Sequence, residues 1–456
     1  MTFHVQGSRF HPHSTAFLLA LFNYFLFFGS CRGRMSPSDT SQVSIADEDI
    51  ISDLPRNVID CILGKLPIRE AIRTSVLSKK WRFYYLTIPH LVFDYKFGRE
   101  LCDFLAKKNC GKVSESELKY QYNEIVTKSL MLHPGRIEKF EVSIPNSKSR
   151  EVPDGGSVVV HGVDKWIQYL SERSIKKLTL ICNNDLKYRH KLPPYFFSCL
   201  ELTFLKLQNF VLSPPIEFKR FLNLYQLQLI GVDFANSCFE SFLCSCPVLK
   251  RLSLHRCSGI HHFNIRGTNL KSLFIEADDK LKSISLEKAP NLSEVSVYLK
   301  RVVIGLEGNY VSHLVMFVGS LPNVKLLRLD GKCLQLLAEP PVPTMISRSP
   351  YSLKILELKS LNFMDFDQIS VVVCLLRSAP NLHELYIEAS TLKINQEQVS
   401  GYLKLLDCAD FPLRNLHLAK LTKISFFDPE LQFMVFLHRS TPSPLTMIIQ
   451  SLKQES

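Results

Sequence analysis

The stretch HRCSGIHH, His255 to His262, sets one cysteine among three histidines, which are ligand types that suit zinc. Its spacings match no zinc pattern, and Cys257 has a structural use in a repeat. A second group, Cys238, Cys244 and Cys246, offers thiols to a nucleophilic mechanism. Small buried cysteines are common in repeat cores, however, and the same residues serve there as packing. Neither G-x-G-x-x-G nor a Walker-type glycine run is present, so nothing cradles a phosphate. Asn291 opens a formal glycosylation sequon, NLS, which lies on an expected strand and matters only in a secreted chain. No catalytic residue, metal or cofactor is therefore expected. The chemistry of this chain is sought in surfaces.

A chain of 456 residues, 46% hydrophobic, can bury a large core and suggests two or three structural units. Its formal charge of +12 comes from dispersed Lys and Arg, which reads as a solvated surface rather than a nucleic-acid groove. Thirteen irregularly spaced cysteines fit a reducing compartment better than a disulfide framework. One segment points the other way. AFLLALFNYFLFFGSC, Ala16 to Cys31, has the length of a signal-peptide apolar region and is short for a membrane span. The residues before it carry little positive charge, and Met35 opens a polar lead-in. Residues 1–34 are expected to be an extension outside the fold or a wrongly assigned start, with a targeting signal as the lesser reading.

DLPRNVIDCILGKLPIREAIRTSVLSKKWR, Asp53 to Arg82, is too apolar for a solvated surface and too short for a domain. Ile59, Ile62, Leu63 and Leu66 recur at i, i+3, i+4 and i+7, one stripe of an amphipathic helix. Asp53 and Pro55 suit its start, and Pro67 ends it. A second helix carries Ile68, Ile72 and Val76 on one side, and Ser78 can cap a third turn with Trp81 and Tyr85. Such short helices cannot bury enough surface alone, so their stripes must pack on the next domain, on a partner, or on both. The Leu-Pro opening, the internal Leu-Pro and the Ser-Val-Leu-Ser-x-x-Trp-Arg ending resemble the F-box. That resemblance implies docking on a Skp-family adaptor and, through it, a cullin-based ubiquitin ligase. It makes Leu54, Pro55, Ile59, Ile62, Leu63, Leu66, Ile72, Val76 and Trp81 adaptor-binding candidates. Ile59 and Ile72 serve internal packing equally well, whereas Leu54, Pro55 and Trp81 favour the interface.

The longest part of the chain repeats. Apolar-x-x-apolar-x-apolar recurs at 137, 175, 202, 224, 249, 270, 281, 292, 324, 353, 382 and 413. Most spacings are roughly 21–32 residues, the leucine-rich-repeat range or slightly above it. LKRLSLHRC places Cys257 where such a repeat wants Asn or Cys. The starts at 270, 281 and 292 are 11 residues apart, too close for a helix, which predicts strand-turn-strand there. Elsewhere the connector can hold a helix, as in NSCFESFLCSCPVL. The apolar positions must point inward, because no single repeat buries its own face. The intervening positions then line a concave surface. Lys206, Arg251, His255, Glu276, Glu294 and Arg328 are the expected target-binding residues. Basic Lys206, Arg251 and His255 precede acidic Glu276, Glu287, Glu294, Asp330, Glu357, Glu384 and Glu388, which suggests a basic-to-acidic drift along that face.

After the proline-rich joint EPPVPTMISRSP come a strand, a helix capped near Asp365 or Asp367, and a strand after Pro380. LLRSAPNLHELYI resembles the FBD module, and the order F-box, repeats, FBD is similar to the plant F-box/FBD/LRR-repeat family. The expected fold is α/β: a three-helix F-box over 50–95, a leucine-rich-repeat solenoid (horseshoe) over 96–340 with indistinct borders up to 174, and an FBD module over 341–420. Residues 421–456 are expected to be a tail. The resemblance implies a non-catalytic substrate receptor of a Skp-cullin-F-box ligase, in the cytoplasm or nucleus, with an unknown protein target and no nucleic acid or membrane. The alternative is a leucine-rich-repeat interaction protein acting outside a ligase.

Overall fold

The computed structural model describes residues 54–451 apart from 67, 75–80, 110, 112, 146–161, 184–188, 217, 236–237, 261, 266–268, 278–282, 287–288, 301–312, 339–341, 344, 347–350, 391–396 and 407–412. Residues 1–34, Asp53, Val76, Ser78 and Glu287 lie outside the described residues, as does the side chain of Ile72. The chain divides into two compact units, Met1–Asn184 and Asp185–Ser456.

The first unit opens with helix α1 (Arg56–Leu63), which starts directly after Pro55, whose φ of −60° already suits a helix. Helix α2 (Ile68–Arg73) comes next, and then a 3-10 segment, Trp81–Thr87, where the third helix was expected. Beyond it lie β1 (His90–Phe93), α3 (Tyr95–Lys108), α4 (Glu115–Met131), β2 (Lys139–Ile144), α5 (Val163–Ser171) and β3 (Lys177–Cys182). Asp94 and Ser114 cap α3 and α4 by accepting from the backbone N–H three residues on. The strands pair in parallel, β1 with β2 and β2 with β3, which requires the helical crossovers between them. Behind them Phe93, Phe97, Tyr122, Phe140 and Trp166 form an edge-to-face aromatic core. Among the described residues, the indistinct stretch from 96 to 174 holds two long helices, strand β2 and a third, shorter helix around this core.

The second unit is a parallel ladder: β4 (Phe204–Gln208), β5 (Gln226–Ile230), β6 (Arg251–His255), β7 (Ser272–Ala277), β8 (Glu294–Leu299), β9 (Leu326–Asp330), β10 (Ile355–Leu361), β11 (Glu384–Ala389), β12 (Leu418–Ile424) and β13 (Thr446–Ser451). The register is in phase, with Leu227 beside Leu252, Leu252 beside Leu273 and Leu273 beside Val295. Most of these strands bury alternate residues, as in Leu252 and Leu254 at 2% exposure, and turn the others outward, whereas β13 is largely exposed. Helices α6 (Phe239–Cys244), α7 (His313–Gly319), α8 (Gly331–Leu337), α9 (Phe366–Arg377), α10 (Glu397–Leu405) and α11 (Asp428–Ser440) fill the connectors. Asp365 caps α9 through the Gln368 N–H. Phe196, Phe221, Phe234, Phe239 and Phe242 form an aromatic seam behind the early strands.

Two devices recur. An asparagine before a strand donates its side-chain amide to a carbonyl of the previous repeat: Asn269 to Pro247, Asn323 to Pro290, Asn381 to Tyr351 and Asn415 to Pro380, at 2.8–3.1 Å. The residue ending a strand takes positive φ and extends the ladder. Asn209 donates its N–H to Ile230, Gly231 to His255 and Arg256 to Glu276. Only glycine adopts that conformation without side-chain cost, so Asn209 and Arg256 hold it at some expense.

Two expectations need correction. The strand near 281 is Ser283–Ser285, and it pairs with His262–Asn264 in a separate two-stranded sheet, not in the ladder. The true step from β7 to β8 is one ordinary repeat, because 11 residues cannot run back to the start of the next parallel strand. Residues 421–451 are not a tail: they complete β12 and supply α11 and β13, which pairs with β12 in register. The ladder also crosses the proline-rich joint unbroken, with Leu327 beside Leu356.

Candidate functional site

Two surfaces stand out, one in each unit. In the first unit, α1 is amphipathic, but its stripes divide differently from the sequence-based expectation. Ile59 and Leu63 are fully buried, together with Ile68, Ala71, Trp81 and Tyr85. Val58 and Ile62 are 37% and 40% exposed, Pro55 is exposed, and Leu54 and Leu66 are half-buried. Val58 and Ile62 share one side, because residues four apart on a helix are neighbours, and Leu54 and Leu66 lie just beyond the two ends of α1. Ile62 sits about 100° round the helix from Leu63, so the two cannot face the same partner. The expectation that Trp81 favours the adaptor interface is corrected as well. Its indole is 2% exposed and packs inside the unit, so it supports the exposed stripe rather than lining it.

The stripe is held in place from the polar side of α1. Arg56 Nε donates to Asp60 at 3.0 Å, its second nitrogen donates to Thr87 Oγ1 at 2.6 Å, and the guanidinium lies 3.9 Å from the Tyr84 ring centre. This ties the start of α1 to the 3-10 segment. His90 Nδ1 meets the Gly64 carbonyl at 3.2 Å and fixes the other end. Val58 is the residue that sequence reasoning missed. It falls outside the i, i+3, i+4, i+7 set because that set follows the buried side.

In the second unit the outward positions of the ladder form an open face. Lys206, His255, Glu276 and Arg328 are half-buried there, and Arg251 and Glu294 are exposed. The structure brings some of them together. His255 Nδ1 donates to Glu276 Oε2 at 3.1 Å, leaving Nε2 to accept from the Ser253 hydroxyl at 2.8 Å. Arg256 Nε donates to Glu276 Oε1 at 2.9 Å. Burial raises the Glu276 carboxyl, but these hydrogen bonds outweigh it and hold the group below its ordinary value. Arg328 Nε donates to Glu357 at 2.8 Å, Ser272 to Glu294 at 3.3 Å, and Lys423 to Glu388 at 2.5 Å. Lys206 stands apart from these groups.

The expected basic-to-acidic drift is not what these contacts make. Most of the later carboxylates are engaged by neighbouring donors, and Lys359 and Lys420 stand in the half expected to be acidic. Asp330 does not serve the open face at all. Its Oδ1 caps α8 by accepting from Cys333 N at 2.8 Å, and Oδ2 accepts from Leu299 N at 2.8 Å. Burial pushes its carboxyl up to about 6.

Phe274 and Tyr298 also escaped sequence reasoning. The His255 and Phe274 rings stack with centres 4.5 Å apart, and the Phe274 and Tyr298 rings lie 5.5 Å apart. Lys359 Nζ lies 5.0 Å from the Tyr298 ring centre. Burial raises the Tyr298 hydroxyl above its ordinary value. An aromatic at the middle of an apolar-x-apolar strand reads as core by type; only the alternation marks it as outward.

Cys257 behaves as the repeat position demands. Its Sγ donates to the Leu229 carbonyl at 3.6 Å and the His255 carbonyl at 3.7 Å, and burial pushes the thiol up to about 12. A thiol held that way is neither a nucleophile nor a ready ligand. The side chains of His261 and His262 lie outside the described residues. Among the described residues no group of His, Cys, Asp or Glu could hold a metal ion, and no helix is long and apolar enough to cross a membrane.

Comparison with known proteins bears on both surfaces. The family model described as F-box domain matches residues 51–84, and the one described as FBD-associated F-box protein At5g56370, LRR repeats, matches residues 163–387. The chain is 34% identical over 406 residues to the F-box/FBD/LRR-repeat protein At1g13570 of Arabidopsis thaliana, covering 88% of this chain and 91% of that protein. It is 27% identical over 252 residues to the F-box/FBD/LRR-repeat protein At5g56420 and 31% identical over 237 residues to At2g04230, both of Arabidopsis thaliana. These matches cover 55% and 50% of this chain and 51% and 48% of those proteins. With an F-box match followed by a repeat match, and a relative aligned over most of both chains, this protein belongs to the F-box/FBD/LRR-repeat family.

Proposed function

We propose that this chain is the substrate-recognition subunit of a Skp-cullin-F-box ubiquitin ligase, working in the cytoplasm or nucleus. The observation that carries the reading is the apolar surface of exposed Pro55, Val58 and Ile62, flanked by half-buried Leu54 and Leu66, within the residues that match the F-box. An apolar stripe left in water on a small helical element favours a partner, and a Skp-family adaptor is the partner an F-box implies. The repeat ladder, with an FBD module in its later part, then holds the target. Binding converts a bimolecular encounter between target and ubiquitin-charged enzyme into a high local concentration of target lysine. The receptor makes and breaks no bonds itself.

The test is a pull-down with a Skp-family adaptor, paired with a thermal melt of the same preparations. Replacing both Leu54→Ala and Pro55→Ala should abolish adaptor capture and leave the melting temperature of the second unit unchanged. Adaptor capture at the wild-type level by a folded double variant would remove the main support for the ligase reading. A charge in the middle of the stripe, Ile62→Asp, should have the same effect, because a buried unpaired carboxylate opposes docking.

A further inference from the structure

The geometry points to the strip His255–Phe274–Tyr298 as the docking site for an extended acidic segment of the target carrying an aromatic side chain. This inference rests on the proposed receptor role and names the chemistry of what the ladder receives. The three rings sit on β6, β7 and β8, consecutive strands about 4.8 Å apart; in register His255 and Tyr298 flank Glu276, and the Phe274 ring lies beside them from two residues earlier, so the patch runs diagonally across the strands. A peptide lying along the patch meets one repeat after another. Half-buried rings in mutual contact, already ordered by their neighbours, offer an apolar platform with little conformational freedom left to lose on binding.

Charge decides the occupant. Near the platform two carboxylates are paired with cations, Glu276 with Arg256 and His255 and Glu357 with Arg328, while exposed Glu294 accepts from the Ser272 hydroxyl and keeps its charge. Among the described residues several cations are not held by a carboxylate. Arg251 is exposed on the same strand as His255, and Lys359 rests on the Tyr298 ring. Lys206 and Lys420 hold the middle outward positions of β4 and β12. An incoming acidic group thus meets Arg251 and Lys359, whereas an incoming basic group meets Glu294 at the edge and otherwise must break Glu276–Arg256 or Glu357–Arg328. A continuous polyanion fits less well, because the carboxylates interspersed along the face repel closely spaced phosphates.

A peptide array probed with the full chain reads both requirements together. A central Trp, Tyr, Leu or Ser is flanked by glutamates, by serines or by lysines, and an oligothymidylate of similar length serves as the polyanion. Glutamate-flanked aromatic peptides should bind best and weaken with added salt. Tyr298→Ala should lose about tenfold in affinity, the range of an aromatic contact near 1.4 kcal/mol, and Tyr298→Phe should retain binding. Arg251→Glu, an exposed change that leaves the core intact, should erase the preference for glutamate flanks. Equal or tighter binding of lysine-flanked peptides or of the oligothymidylate overturns the proposal. So does an array without aromatic, acid-dependent binding, or one indifferent to both variants. Adaptor capture is scored on the same preparations: its loss in the unmodified chain would count against the receptor role, whereas its persistence confines a negative array to this strip.

Discussion

At the residue scale, the ladder makes neighbouring side chains do opposite jobs, and this can be measured. Leu252 is buried between Leu227 and Leu273, whereas Arg251 beside it is exposed. Leu252→Ala should cost roughly 2–5 kcal/mol through the cavity it leaves, and Arg251→Ala less than about 1 kcal/mol, by denaturant titration. Equal losses would contradict the register. Asp330 gives a second readout. Its folded carboxyl keeps a proton up to about pH 6, whereas an unfolded aspartate releases it near 3.9. The folded state therefore binds more protons between those values, and this group's contribution makes stability fall as pH rises from about 4 to about 6. Asp330→Asn should flatten the melting-temperature profile over that window relative to the unmodified chain; identical slopes would show that Asp330 does not titrate there. The inward leucines and Cys257 were legible in the sequence because alternation and repeat position specify them. Phe274, Tyr298 and the burial of Trp81 were not, because residue type alone does not say which side of a strand or helix faces water.

At the element scale, hydrophobic alternation located most ladder strands but did not say which sheet each one joins. LKSISL at 281 has the same pattern as its neighbours, yet its strand pairs with His262–Asn264. Only the length needed to return to the start of a parallel neighbour separates the two cases, and 11 residues fail it. The helices α3 and α4 were hidden for a different reason. Their apolar residues pack around β1 and β2 rather than in a repeated frame, so no period connects them. The closing elements carry a prediction of their own. Phe433, Phe436 and Leu437 of α11 are almost fully buried, each worth roughly 1.5–3 kcal/mol, and β13 continues the pairing of β12. A chain ending at residue 420 should melt at a clearly lower temperature or fail to fold. An unchanged melt would mean that α11 and β13 are appendages, contrary to the burial of α11 and the pairing of β13.

At the scale of the whole molecule, charge and hydropathy averages mislead unless they are resolved by place. The +12 total suggests a polyanion partner, yet on the open face cations and carboxylates are largely paired across strands: Arg256 with Glu276, Arg328 with Glu357, and Lys423 with Glu388. Such pairs contribute little to stability at the surface and chiefly cancel each other's field. The N-terminal apolar run raises the mean hydropathy in the same misleading way. The proposed docking stripe on α1 begins at Leu54, well beyond that run, and its supports, Arg56 with Tyr84 and Thr87, and His90 with Gly64, all lie within the first unit. A Skp-family adaptor that reads this stripe needs nothing from residues 1–34. A chain beginning at Met35 should therefore capture adaptor as well as the full chain does and melt at the same temperature, scored by pull-down and thermal melt side by side. Weaker capture or a lower melt in the shorter chain would show that the apolar run packs on the fold. Secretion of the full chain into the medium would show instead that the run acts as a signal, and it would remove the protein from the compartment where an adaptor could meet it.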